Sequence, residues 1–300
     1  MSTALIAALV SASVAVLTTI LAAPLRVWVE QNLQSYKLRG EYEYEQRREL
    51  RKLIGRYHGR LVQAAEQLHY RLLNIYAHDP EPWLKSRDGF FFKTSCHRLM
   101  EIIGLSRAFE RDAFYIDSRI AETNDLDFFK FVKSFIWVLT STDLVEGLEH
   151  NEAIARDHFF ADQLRLMGDT FCPPKGDCLT LAQFNVALNQ EPDGEGLTEP
   201  FDEIQSFLVG LSRSESRLRW DRLVSLHLFV IGFLNTAGYR LHESSEADIR
   251  KVVSQIRHPE VLDNFRKWLP RLDLDKQEEM QVIARAMSGF STDSHLTTAS

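Results

Sequence analysis

The N-terminal hydrophobic run is the longest uncharged segment of this chain. Residues Ala4 to Leu25 are twenty-two consecutive positions without a charged side chain. A helix of that length is roughly 30 Å long, which matches the hydrocarbon core of a bilayer. The run exceeds the centre of a secretory signal peptide, and no Lys or Arg precedes Arg26. We therefore predict a transmembrane anchor, with a cleaved signal peptide and a buried or surface-lying helix as the alternatives.

Apolar residues spaced three and four positions apart follow the anchor. The stripe consists of Leu50, Ile54, Tyr57, Leu61, Ala64, Leu68 and Ile75. This spacing is typical of a helix that buries one face in a bundle. We predict one long helix from Arg26 to Tyr76 with a break near Gly40. It is ended by Pro80 and Pro82, because proline cannot continue a helix.

The remaining apolar segments predict further helices, and no period-two alternation indicates a strand. The predicted helices cover 93–103, 106–119, 126–145, 152–167, 181–188, 201–211, 215–241, 247–256, 261–268 and 276–287. A helix end at Gly104 and a new start at Ser106 follow from their capping preferences. The same Gly-Leu-Ser-Arg recurs at 210–213, which suggests one helix–turn–helix solution used twice, or an internal duplication.

The predicted fold class is all-α, with an N-terminal single transmembrane helix followed by a multi-helix, bundle-like cytoplasmic domain. Composition divides the chain into an anchor (1–25), a basic mixed-charge juxtamembrane helix (26–60), a first helical half (61–168), an irregular Pro/Gly region (169–200), a second helical half (201–287) and a polar tail (288–300). The Pro/Gly region marks a subdomain boundary or a functional loop. We expect the tail to be disordered.

Charge placement orients the predicted anchor. Residues 24–60 carry nine basic and five acidic side chains, whereas the residues before Ala4 carry none. Since Lys and Arg stay on the cytoplasmic side, we predict a plasma or inner membrane protein with its N-terminus outside. Trp28 then lies where an interfacial aromatic is expected. The whole chain has a net charge of −7 although residues 24–60 carry an excess of basic side chains, so the remaining residues are acidic overall. This argues against a nucleic-acid partner.

Small residues recur at four-residue spacing within the anchor. One row contains Ala4, Ala8 and Ala12, and a second contains Ser11, Ala15, Thr19 and Ala23. Such rows let two helices approach closely in lipid, although Ala and Ser are also simply common in anchors. The predicted partners are therefore the lipid bilayer and either a protein partner or a second copy of the chain.

Four side chains are candidates for catalysis, namely His58, His78, Asp79 and Asp143. His and Asp residues in this order resemble those that metal-dependent helical hydrolases gather around their ions. However, surface and capping roles also explain all four, and His78 and Asp79 stand directly before Pro80. Glu66 and His69 form one Glu-x-x-His pair, of which a di-iron bundle needs two. We predict no metal and no cofactor, and the balance is against an enzyme.

Three cysteines and one histidine complete the sequence-based expectations. Cys96, Cys172 and Cys178 are an odd, small number, which fits free thiols in a reducing compartment. The alternative is that Cys172 and Cys178, which flank a short loop, form a bridge or hold a metal. His227 interrupts the apolar run 223–234 and is expected to be a hydrogen-bonded core histidine.

The predicted function is a membrane-anchored protein-interaction or scaffold module. One alternative is a helical His-Asp hydrolase or ligand sensor. The other is a membrane-acting effector that works through self-association of its anchor.

Overall fold

A computed structural model of the chain describes residues 3–79, 81–114, 121–149, 157–189, 201–238 and 243–293. These ranges contain helices and irregular segments and no strand, which confirms the all-α fold class. The helices are α1 (Thr3–Ala77), α2 (Phe90–Ala113), α3 (Thr123–Thr140), α4 (Ala161–Phe171), α5 (Leu181–Ala187), α6 (Asp202–Leu208), α7 (Arg219–Ala237), α8 (Glu246–Val253), α9 (Pro259–Trp268) and α10 (Glu278–Asp293). Short 3-10 turns occupy Pro82–Leu84 and Asp143–Val145.

The chain separates into two compact units. The first consists of Met1–Leu50 with Ile116–Ala121, and the second consists of Arg51–Tyr115 with Glu122–Ser300. In the first unit, residues 28–49 of α1 are exposed except for two half-buried positions. The second unit contains the hydrophobic core and every cavity discussed below.

The predicted anchor does not receive support from the structure. Within the ranges described, none of the helices combines the length and the apolarity that crossing a bilayer requires. Of the small residues in the two rows, Ser11, Ala12 and Ala15 are exposed. The side chains of Ala4, Ala8, Thr19 and Ala23, which complete these rows, lie outside the described ones.

The predicted break in α1 near Gly40 is wrong, because the helix continues through this residue. A glycine inside a helix costs only about 1 kcal/mol relative to alanine. The flanking Arg39 and Glu43 pair across one turn at 3.1 Å, which favours the helix. At its other end α1 stops at Ala77, one residue beyond the predicted end.

The core of the second unit confirms the predicted apolar patterns. In the stripe on α1, Tyr57, Leu61, Ala64, Leu68 and Ile75 are buried. Every residue of α7 from Arg219 to Leu234 is buried, as expected for a central helix. The phenylalanines of α3 at positions 128, 131 and 135 all pack around Phe233 of α7, with ring centroids 5.6–5.9 Å apart.

The predicted helix end at Gly104 is also wrong, because α2 runs unbroken from Phe90 to Ala113. A Cβ on Gly104 would lie 2.7 Å from Cδ1 of Phe171, so this glycine allows α4 to pack closely against α2. Ser106 is fully buried inside the helix and caps nothing. The second copy behaves differently, since Gly210 has φ +65° and follows the end of α6. The two copies therefore do not share one conformation.

Three predicted helices are shorter than expected because arginine side chains bind the carbonyl oxygens that would continue them. Arg257 donates to the carbonyls of residues 213, 215 and 217, so α7 begins at Arg219 instead of residue 215. Arg222 donates to the carbonyls of residues 138 and 141, where α3 ends. It also binds the carbonyl of Asp157, and α4 begins only at residue 161. The part of the predicted helix that covers 152–156 lies outside the described residues.

The expectation of three free thiols is wrong. Cys172 and Cys178 form a disulfide that closes a turn after α4, and Cys96 is a free thiol buried in α2. The backbone amide of Leu179 donates to the carbonyl of Phe171 at 2.9 Å, which brings the two ends of the turn together.

Candidate functional site

The structure does not bring the four candidate catalytic residues together. His58 and His78 are twenty residues apart along α1 and its C-terminal end, which places them roughly 30 Å from each other. Asp79 accepts a hydrogen bond from the backbone amide of Arg213 at 3.1 Å. Asp143 accepts one from the Trp268 indole at 3.1 Å. No group of three or more metal-ligating side chains occurs among the residues that the structure describes.

The surroundings of His58 give it a packing role. Its ring stacks on Phe128 at 5.9 Å, beside a cavity of about 330 Å³ that Asp125 and Asp127 also line. Both carboxylates have other partners. Asp125 accepts the Glu122 amide at the start of α3, and Asp127 binds the Lys130 ammonium at 3.0 Å.

A different cavity combines polar, charged and apolar side chains from three helices. We call it the His69 pocket, and its volume is about 320 Å³. Its walls are formed by Glu66, His69, Tyr70, Leu73, Ile231, Leu234, Glu243, Ser244, Asp248, Lys251 and Val252. All of them belong to the second unit.

Helical periodicity explains which side chains of α1 reach the pocket. Glu66, His69, Tyr70 and Leu73 are three and four positions apart, so they share one face of the helix. This face borders the buried stripe, and its residues are therefore half-buried or exposed instead of fully enclosed. The opposite wall comes from Ile231 and Leu234 of α7, which are fully buried.

The third wall is fixed by two local hydrogen-bond patterns before α8. The Asn235 side chain at the end of α7 binds both the amide and the carbonyl of Ser244, at 2.9 and 3.2 Å. Ser245 then accepts the amide of Asp248 and caps α8. These contacts hold Glu243 and Asp248 at the pocket.

A chain of three hydrogen-bonded side chains lies behind the pocket. Nε2 of His227 is 2.8 Å from Nδ1 of His69, and Nδ1 of His227 is 3.2 Å from the Tyr76 hydroxyl. His227 is fully buried, which confirms the predicted core histidine. Burial, and then the nearby His69, lower the pKa of His227 well below its ordinary value. Burial raises the pKa of the Tyr76 hydroxyl, so both groups are neutral.

Both ring nitrogens of His227 are engaged, one by the Tyr76 hydroxyl and the other by Nδ1 of His69. A neutral imidazole carries one N–H, so the ring donates through one of these contacts and accepts through the other. The orientation of the His69 ring in the pocket wall is therefore set from the core.

Negative charge predominates among the described side chains of the pocket walls. The described walls contribute three carboxylates, from Glu66, Glu243 and Asp248, and one ammonium group, from Lys251. Lys251 and Asp248 form an ion pair at 3.0 Å. The pocket therefore provides hydrogen-bond acceptors and negative charge beside an apolar wall, an arrangement suited to binding.

A second polar cluster, at the start of α7, is structural. The fully buried Asp221 accepts hydrogen bonds from the amide and guanidinium of Arg257 and from His258. Arg222 is also fully buried and binds backbone carbonyls, and burial lowers its pKa to about 9, an effect that Asp157 opposes. Since these partners belong to the chain itself, the cluster fixes loops.

Sequence reasoning missed both clusters, although each left a trace. Glu66 and His69 stood out as a Glu-x-x-His pair, and His227 as a polar residue in an apolar run. Nothing connects them in sequence, because His69 and His227 are 158 positions apart. The trace of the second cluster is the Arg-Trp-Asp-Arg segment at 219–222, where charged residues open an otherwise apolar helix.

Comparison with known proteins leaves the assignment of function to the geometry described above. No protein-family model matches the chain, and no curated protein or solved structure is significantly similar to it.

Proposed function

We propose that this chain is a membrane-tethered helical module that binds a small molecule in the His69 pocket. The observation that carries the proposal is the pairing of His69 with the buried His227 in the wall of a cavity. Cavities of this size that combine apolar walls with a few convergent polar groups are the usual form of small-molecule sites.

The hydrogen-bonded side chains behind the pocket are a second argument for a ligand site. Burying a polar group costs free energy unless it is hydrogen-bonded. Two side chains of α1, those of Tyr76 and His69, form hydrogen bonds with His227, and His69 reaches the pocket. Such support from behind is how binding sites hold a side chain in one orientation.

A ligand screen tests the proposal on the full chain in detergent micelles or nanodiscs. Replacing Leu73, which is 37% exposed in the pocket wall, by Trp fills the cavity. We expect compounds that raise the melting temperature of the wild type and lose this effect in Leu73→Trp. Leu166→Trp, at an exposed position on α4, is the matched control and should keep it. A library without any compound sensitive to Leu73→Trp would contradict the proposal.

The membrane tether rests on the uncharged run 4–25 and on the nine basic residues that follow it. Its proposed orientation places the N-terminus outside a plasma or inner membrane and the helical domain in the cytoplasm. Retention in the membrane fraction after alkaline carbonate washing is the expected result. Release into the supernatant would overturn the tether. A cysteine placed at Ser2 should react with an impermeant maleimide in intact cells.

Scaffolding is a second candidate function, favoured by the exposed apolar side chains on α1. Trp28, Tyr36, Leu38 and Tyr44 are 65–81% exposed on the first unit. Large exposed apolar side chains in this density are typical of interaction surfaces. We expect cross-linking in membranes to capture a partner or a second copy, and Tyr36→Ser with Leu38→Ser to reduce it. A monomer in the absence of any cross-linked partner would contradict this candidate, and with it the effector hypothesis.

A further inference from the structure

We propose that the disulfide between Cys172 and Cys178 is a reversible redox couple, which exchanges with small thiols through the sulfur of Cys178. This couple lies in the turn between α4 and α5, uses none of the residues of the His69 pocket, and goes beyond the proposed function. Three features of the turn support it. They are the hydrogen bonds that hold the turn, the unequal burial of the two cysteines and the short loop that they close.

Backbone hydrogen bonds close the turn independently of the disulfide. The amide of Leu179 donates to the carbonyl of Phe171 at 2.9 Å. The carbonyl of Leu179 accepts a hydrogen bond from Nε2 of His97, a buried residue of α2, at 3.1 Å. The end of the turn is therefore attached both to α4 and to α2 without any contribution from the sulfur atoms.

The guanidinium of Arg111 holds the beginning of the turn. It donates to the carbonyl of Cys172 at 3.2 Å and to the carbonyl of Pro173 at 3.4 Å. It also binds Asp169 at 2.7 Å, and Asp169 accepts from Arg107 at 3.2 Å. The guanidinium is thus fixed between α2 and α4. Since both ends of the turn are held by other contacts, opening the disulfide leaves the two sulfur atoms close together and ready to pair again.

The two cysteines differ in their access to solvent. Cys172 is 2% exposed, and its Sγ packs against α2, 2.9 Å from the position that a Cβ on Gly104 would take. Cys178 is half-buried and follows the exposed residues 174–177. Exchange requires a thiolate to reach one of the two sulfurs, and its rate depends on access. Cys178 is therefore the attacked residue and Cys172 the leaving one.

The length of the closed loop limits what the disulfide contributes to stability. Cys172 and Cys178 are six positions apart. A disulfide stabilises mainly by restricting the unfolded chain, so the shortest loops gain least. Opening this bond therefore costs the fold less than opening one that closes a long loop. In a reducing compartment, which the proposed cytoplasmic orientation implies, the disulfides that form are usually transient and catalytic or redox-sensing.

The exchange consists of two balanced steps. The thiolate of a first small thiol attacks Sγ of Cys178 and forms a mixed disulfide, while the bond to Cys172 breaks. Its electron pair goes to Sγ of Cys172, which then takes up a proton. A second thiolate attacks the small-thiol sulfur of the mixed disulfide, and Cys178 leaves as a thiolate. Two small thiols are thereby oxidised to one disulfide, and the protein disulfide is reduced to two thiols. The reverse steps oxidise the pair.

Glutathione buffers test the couple on the folded full chain in detergent micelles. After equilibration with reduced and oxidised glutathione, the samples are quenched in acid, denatured and alkylated, and the protein mass counts the thiols. We expect the count to move reversibly between one and three, because Cys96 adds one free thiol to the pair. Circular dichroism should show the same helix content in both states. A count that stays at one in reduced glutathione, or a loss of helix on reduction, would overturn the proposal.

Two serine variants identify the attacked sulfur. In Cys172→Ser, oxidised glutathione should form a mixed disulfide with Cys178, which peptide mapping locates. In Cys178→Ser, the buried Cys172 should react more slowly, on the order of tenfold, because exchange depends on access. The fully buried Cys96 is the internal control in both variants and should stay unmodified. Equal rates, or a faster reaction of Cys172, would contradict attack at Cys178.

Arg111→Gln tests whether hydrogen bonds hold the turn once the disulfide is open. In the wild type either constraint holds the turn, whereas the reduced variant has neither Arg111 nor the disulfide. Reduction should therefore lower the melting temperature of Arg111→Gln by about 3 °C more than that of the wild type. Arg165→Gln, at an exposed position on α4, is the matched control and should behave like the wild type. A fall in the wild type as large as that in Arg111→Gln would make the disulfide structural and overturn the proposal.

Discussion

Nε2 of His227 lies 2.8 Å from Nδ1 of His69, although the two residues are 158 positions apart in sequence. The contact joins the fully buried centre of α7 to the wall of the pocket. Because His227 has no contact with solvent, its protonation would place a charge in the core. The free energy of unfolding must therefore depend on pH through this residue.

Acidification should destabilise the protein through His227. Its pKa in the folded state is well below the ordinary value of 6.5, so the unfolded chain binds a proton that the folded chain does not. Stability from this group is therefore complete above pH 6.5 and is lost as the pH falls, by at most about 1.4 kcal/mol per pH unit. Urea unfolding of the full chain between pH 7.5 and 5 measures this slope.

His227→Gln isolates the contribution of the histidine. Glutamine can still accept from Tyr76 and donate to His69, but it does not titrate. The variant should show a smaller loss of stability below pH 6.5 than the wild type. His78→Gln, at the exposed end of α1, is the control and should keep the wild-type slope. Equal slopes in all three proteins would contradict the prediction.

Asp221→Asn should destabilise the protein by about 3–5 kcal/mol. The wild-type carboxylate is fully buried and binds Arg257 and His258, so its removal leaves buried positive charge without a counterion. Asp263→Asn removes a carboxylate that pairs with Arg266 on a half-exposed helix face, and it should cost less than about 1 kcal/mol. Chemical denaturation of the two variants measures the difference. Similar losses would mean that the buried cluster is not essential.

Two glycine-to-alanine substitutions should have opposite effects. A Cβ on Gly104 would lie 2.7 Å from Phe171 and 2.9 Å from Sγ of Cys172, so Gly104→Ala overpacks the α2–α4 contact. We expect a loss of about 1–3 kcal/mol. Gly59 is exposed on α1 with no atom near its Cβ position, so Gly59→Ala should stabilise the helix by about 1 kcal/mol. Thermal unfolding of both variants tests this prediction, and a stabilising effect of Gly104→Ala would contradict the proposed packing.

Periodicity predicted the parts of the fold that depend on local sequence. The stripe on α1 and the apolar run 223–234 of α7 both became core, because a helix with an apolar face must bury it. Helix ends were less predictable. Gly104 has the sequence preference of a helix end, but the close approach of α4 requires a glycine inside the helix. Local preference cannot anticipate a neighbour that is distant in sequence.

The candidate site shows the same limit more strongly. Its histidines come from two distant parts of the chain, and nothing in the pattern around His69 indicates His227. The charged residues at 219–222 likewise gave no indication of their partners, since Arg257 and Asp157 are remote in sequence. By contrast, His58 and His78 were noticed because they resemble a known order of residue types. The geometry of α1 then placed them far apart.

Alkylation of cysteines tests the disulfide and also bears on the proposed orientation. Cys96 is fully buried, and burial raises the pKa of its thiol well above the ordinary range, so the folded protein should not react. Denaturation without reductant should expose one thiol, and denaturation with reductant should expose three, because Cys172 and Cys178 are paired. Three reactive thiols without reductant would contradict the disulfide. The same count, made without reductant on protein from cells quenched in acid, reports on the compartment. One reactive thiol would place the helical domain in an oxidising compartment and overturn the cytoplasmic orientation. Three reactive thiols would support that orientation.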